Sequence, residues 1–182
     1  CDSIGSGQVF MNFFKKIHTL LDQKNKTVQF WSDMITRHHP EMLSQIPKNA
    51  IALEWGYSPG YPFEEYCKKL FENNISFYVC PGNQSWNNIS GRIDHAKENI
   101  KIAAKVGLKY NAKGLLNTDW GDNGHWQHFP ISYPGLMYGA AVSWNYSKNI
   151  DIDLPTSLSI HGYKDKSMTA GKIACDLGNL YK

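Results

Sequence analysis

Long apolar runs are missing from this 182-residue chain; its longest fall far short of the roughly 18 consecutive apolar residues that a membrane span requires. Charge of one sign is also scarce. The net charge is +3 and the basic residues are scattered, so neither nucleic acid nor an anionic membrane is an expected partner. Cysteine is limited to Cys1, Cys67, Cys80 and Cys175, with no CxxC or zinc-type spacing. Two disulfides are permitted by the count, but so sparse a set in a chain of this size points to reduced thiols. Histidine offers no metal site: His38 and His39 are adjacent, so their side chains diverge, and His125-x-x-His128 lacks a carboxylate at a useful offset. No metal and no cofactor is expected. No signal peptide is recognisable and the first residue is not Met; the cytoplasm is the favoured compartment. Sequons at Asn25, Asn74, Asn83, Asn88 and Asn145 are of a kind an asparagine-rich chain produces by chance.

Aromatic surface is what the chain has in quantity. Aromatic residues make up 13%, with six Trp and ten Tyr, and the 42% hydrophobic content is enough for a core. Apolar residues at helical spacing predict a helix over 9–21, and Val28-Gln29-Phe30-Trp31 predicts a strand ending at Ser32-Asp33. A short helix over 34–45 and a strand over 50–55 follow, then a Gly/Pro-rich loop over 56–62. The next elements are a helix over 63–73, a strand over 75–79 and a helix over 93–106. That last helix carries Ala96, Ile100, Ala103 and Ala104 on one face and has Gly107 as its C-terminal cap. A last strand is expected over 114–117.

Strands alternating with helices predict an α/β fold with parallel strands. In each unit, polar and aromatic residues gather just past the strand: Trp31 and Asp33, Trp55 and Tyr57, Cys80 to Trp86, Asp119 to Trp126. That is the face on which β/α barrels build their sites. Four such units make half of a (β/α)8 barrel of the TIM type, here its second half, strands five to eight. The expected organisation is one domain over 1–182, with β/α units over 1–150 and a closing helical segment over 151–182.

Two stretches carry the chemistry. Cys80-Pro81-Gly82 leads into Ser85-Trp86-Asn87. Residues 116–126 then set Asp119, Asp122, Trp120, Trp126, His125 and two asparagines around Gly121 and Gly124. Aromatic faces with carboxylates at their rim suit a sugar, whose apolar face stacks on indole while its hydroxyls need strong acceptors. Trp86 is expected to line such a site, although Ser85-Trp86-Asn87 could instead cap the following helix. Asp119 and Asp122 could serve as the acid and base of an ordinary glycosidase. Arg92 is expected to anchor a loop through a carboxylate.

With Phe30-Trp31-Ser32-Asp33, Cys80 to Asn87, Gly91-Arg92, Asn117 to Trp126 and Ser132-Tyr133-Pro134-Gly135 in order, the chain resembles the C-terminal half of the catalytic barrel of glycoside hydrolase family 20. These are the β-N-acetylhexosaminidases, and the likeness is to their hexosaminidase D-like and bacterial branch; it covers nearly the whole chain. The resemblance implies substrate-assisted hydrolysis of a terminal β-linked N-acetylglucosamine or N-acetylgalactosamine, in which the sugar's acetamide oxygen attacks the anomeric carbon. It assigns Asp2 to the aspartate that orients the acetamide, and it puts Ser3 where the acid/base glutamate belongs. A serine hydroxyl is a poor general acid near neutral pH, and acid–base catalysis supplies about 10²–10⁴ of rate. Impaired turnover is therefore expected.

The same resemblance gives Trp31, Trp55 and Trp120 to the walls of the acetamide pocket. It gives Asp122 to the carboxylate that binds distal hydroxyls, one methylene shorter than the family's glutamate. Tyr78 or Tyr57 would hydrogen-bond the acetamide, and Asp119 and His125 would be pocket residues or their supports. The implied partner is an N-acetylhexosamine-containing glycan. The implied barrel lacks its N-terminal half, so exposed strand edges are expected to drive self-association. A non-catalytic carbohydrate-binding module, or a pseudoenzyme, is the alternative.

Overall fold

The structure, a computed structural model, describes residues 4–182. Helix α1 (Ser6–Asp22) leads to strand β1 (Gln29–Trp31), a π-helical turn (Met34–His38), a 3-10 turn (Pro40–Gln45) and β2 (Ile51–Trp55). Then come α2 (Phe63–Glu72), β3 (Ser76–Cys80), α3 (Ile93–Lys109) and β4 (Gly114–Leu115). Helices α4 (Tyr133–Trp144), α5 (Tyr146–Asn149), α6 (Leu154–Ser157) and α7 (Ala170–Leu177) complete the chain. The strands form one parallel sheet in the order β1-β2-β3-β4, flanked by helices. The α/β architecture follows the expected rhythm; no closed barrel forms among the described residues. The edge strands β1 and β4 are only three and two residues long, which blunts them as templates for another strand.

Three elements differ from expectation, each for a local reason. Pro40 opens the 3-10 turn and brings no backbone N–H, so the helix expected over 34–45 is divided into a π-helical turn and a 3-10 turn. Gly107 does not cap α3 but lies inside it. A Cβ there would stand 3.0 Å from a Val79 methyl, so glycine is what allows the helix to pack so closely. The strand expected over 114–117 is reduced to two residues.

The described residues form two compact units. The first takes those through Trp55 together with Pro62–Val79 and Val106–Gly114. Its core is the sheet covered by helices. Met11 and Phe14 of α1 are buried, and the Phe14 ring lies 4.6 Å from that of Phe30. From α2, Phe63, Cys67 and Leu70 are fully buried. The run Ala52-Leu53-Glu54 in β2 is buried throughout, as expected of a strand covered on both faces.

The second unit comprises Gly56–Tyr61, Cys80–Lys105 and Leu115–Lys182. Ile93, Ile100 and Ala104 of α3 pack with Tyr138 and Val142 of α4 and with Leu154 and Leu158. The expected inner face of α3 (Ala96, Ile100, Ala103, Ala104) is the buried one. Cys67 and Cys80 are buried, and burial pushes the Cys175 thiol up to about 11. No helix among the described residues is long and apolar enough to cross a membrane.

Candidate functional site

The second unit gathers an aromatic and carboxylate cluster on three loops, and one buried side chain ties two of them down. Asn99 of α3 is fully buried. Its Oδ1 accepts from the Gly82 N–H at 3.0 Å, and its Nδ2 donates to the carbonyls of Gly56 (3.0 Å) and Ser58 (2.9 Å). The loop carrying Tyr57 and the loop carrying Gly82 are thereby fixed to one helix. A parallel bridge between Gly82 and Thr118 adds the third loop, with the Asn83 N–H donating to Thr118 and the Thr118 N–H to Pro81.

Aromatic rings close over this scaffold. A Cβ at Gly82 would come within 2.3 Å of the Trp86 ring and 2.9 Å of the Tyr57 ring, so only glycine lets both lie on the backbone. Tyr57 meets Trp86 edge-on, with centroids 5.2 Å apart, and Trp120 at 6.2 Å. Trp86 is only 8% exposed and supports Tyr57 from behind, whereas Tyr57 and Trp120 are half-buried. The Trp120 indole N–H donates to Thr118 Oγ1 at 3.1 Å, and that hydroxyl donates to the Pro81 carbonyl. Burial pushes the Tyr57 hydroxyl above the ordinary phenol range, Cys80 and Asp122 act in the same direction, and hydrogen bonds with the Thr118 and Trp120 side chains oppose them. Tyr57 thus keeps its proton at neutral pH, with its hydroxyl engaged by the Thr118 and Trp120 side chains.

Carboxylates border the rings. Asp119, half-buried, accepts from the Ser85 hydroxyl at 2.5 Å, and Ser85 accepts from Gln127 Nε2 at 3.2 Å. Asp122 is exposed and close enough for its charge to act on Tyr57. His125 is exposed and left-handed at φ 53°, with its ring against Gly121. Asn123 donates to Asn87 at 2.9 Å. Gln84, Asn87, Asn123 and His125 all hold φ between 53° and 58°, a concentration of strained backbone of the kind that functional sites store. The arrangement offers apolar ring surface and carboxylate acceptors to a flat, polyhydroxylated molecule.

Trp31, Asp33, Trp55 and Tyr78 belong to the first unit. The Trp55 indole N–H donates to Asp33 Oδ1 at 3.1 Å, and the Arg37 guanidinium lies 4.2 Å over the Trp55 ring while donating to its carbonyl at 2.7 Å. Trp31 is 38% exposed and lines an apolar groove with Phe10, Phe13, Phe14 and Ile17. Tyr78 stands on β3 with its ring towards Gly114. Asp2 and Ser3 lie outside the described residues. Arg92 has no carboxylate within ion-pair distance among the described residues; its backbone N–H instead donates to the Gln84 carbonyl. His39 is occupied by Ser6 and Glu41, and no group of potential metal ligands forms among the described residues.

Sequence reasoning missed Asn99, Gln127 and Glu54. Glu54 is fully buried and accepts from Ser32 (2.5 Å) and Thr36 (3.1 Å), with Arg37 4.0 Å away. A glutamate between Leu53 and Trp55 in an apolar strand was the available signal; a lone asparagine or glutamine gives none. No protein-family model matches the chain, and no curated protein matches it significantly.

Proposed function

We propose that the chain is the sugar-binding half of a family 20-like β-N-acetylhexosaminidase barrel, binding a terminal β-linked N-acetylglucosamine or N-acetylgalactosamine. The observation that supports it is the second unit's cluster: the half-buried rings of Tyr57 and Trp120 beside the carboxylates of Asp119 and Asp122. Ring surface takes the apolar face of the pyranose. Each carboxylate accepts from sugar hydroxyls, and charge makes such bonds about twice as strong as neutral ones. In this reading, hydrolysis would follow the substrate-assisted route, with Asp2 orienting the acetamide.

Ser3, at the position of the general acid, favours a second reading, in which the module binds the sugar with little turnover. Titration calorimetry tests the binding common to both. N-acetylglucosamine is expected to bind at least about tenfold more tightly than glucose, since a site built for the acetamide leaves polar groups unpaired when it is absent. Equal affinities, or no heat with either sugar, would overturn both readings. Release of an aryl leaving group from an aryl N-acetyl-β-glucosaminide then separates them, being slow for the first and undetectable for the second.

A further inference from the structure

We infer that Ser85 is a positioning residue that aims the Asp119 carboxylate at the bound sugar. The inference rests on the sugar-binding reading above. Ser85 is fully buried, so water cannot substitute for its partners. A hydroxyl has a single proton to give. Gln127, itself 3% exposed, donates its amide to Ser85 Oγ, and the Ser85 N–H is held by Asn83 Oδ1 at 3.2 Å. The Ser85 proton is thereby directed to Asp119 Oδ1, and the 2.5 Å separation is that of a charge-assisted O–H···O⁻ bond. The opposite Gln127 orientation would draw that proton to its own oxygen and leave an acceptor-only carboxylate without a donor.

Gln127, Ser85 and Asp119 therefore form a one-way chain from a buried amide to a half-buried carboxylate. Oδ1 is committed inward. Oδ2 has no hydrogen-bond partner among the described residues and remains to accept from a ligand hydroxyl. Ser85 touches no substrate itself; it removes the rotational freedom that Asp119 would otherwise lose on binding.

A double-mutant cycle tests this, with N-acetylglucosamine affinity measured for wild type, Ser85→Ala, Asp119→Asn and the pair. Ser85→Ala is expected to weaken binding about tenfold, the scale of a hydrogen bond to a charged group. In the Asp119→Asn background the same change is expected to have little further effect, because a residue acting through Asp119 has nothing left to aim. Equal weakening in both backgrounds would mean a general packing role and overturn the inference.

Without sugar, the Asp119 carboxyl carbon resonance is expected to move in Ser85→Ala and return in Ser85→Thr. A resonance that stays put overturns the positioning role. One that moves in a chain binding no sugar upholds the positioning and refutes the sugar-binding reading. Should Ser85→Ala not fold, the wild-type Ser85 hydroxyl proton supplies the readout. It is expected in slow exchange and shifted by Asp119→Asn; an unshifted proton overturns the inference.

Discussion

Asn99→Ala is expected to give the largest loss of stability of any single polar substitution in the second unit. Two buried partners, the Gly82 N–H and the Gly56 carbonyl, and the partly buried Ser58 carbonyl depend on this one amide. Each buried group left unsatisfied costs about 1–3 kcal/mol, so the two buried partners together cost about 2–6 kcal/mol. At about 2–4 °C per kcal/mol for a chain of this size, the melting temperature falls by about 10 °C. Because the lost bonds anchor the loops of Tyr57 and Gly82, sugar affinity should fall as well. Asn99→Asp keeps the acceptor for Gly82 but gives up both donors and buries a charge, so it should not rescue. Urea denaturation measures the effect, and an Asn99→Ala midpoint equal to wild type would show that the loops are held by something else.

Trp120→Ala is expected to weaken N-acetylglucosamine binding by about 30-fold, or about 2 kcal/mol, the loss typical of removing a central aromatic anchor. Its ring is half-buried, and its N–H bond to Thr118 sets the ring angle against Tyr57. Trp120→Phe keeps ring surface and gives up only that bond, so it should retain most of the affinity. Trp86→Phe sits deeper, behind Tyr57, and should act more on stability than on affinity. Calorimetric titration separates these cases. Wild-type affinity in Trp120→Ala would remove Trp120 from the site.

Much of the fold was legible because its signals are local. The apolar run of β2, broken only by Glu54, and the helical spacing of Ala96, Ile100 and Ala103 are each read within one segment, and burial follows both. What was not legible depends on partners far apart in sequence. Asn99 reaches carbonyls 43 and 41 positions away, and Ser85 reaches a carboxylate 34 positions away. Neither residue type marks itself in a sequence. Trp86 shows the same limit at the site. Its place after a strand suggested a lining residue, but Gly82 leaves room for its ring to fold onto the backbone beneath Tyr57. Gly107 gave the opposite lesson, because a glycine near a helix end suggests a cap, whereas its contact with Val79 is set by the sheet.

The central claim, that an acetamide-binding sugar pocket survives in this chain, is tested most directly by thermal unfolding with and without an N-acetylglucosamine-derived thiazoline, a mimic of the cyclised intermediate. Ligand at about 100 times its dissociation constant contributes about 2.7 kcal/mol. The expected result is one cooperative transition, raised by about 5 °C or more. A cooperative transition that the thiazoline leaves unmoved would contradict the pocket itself.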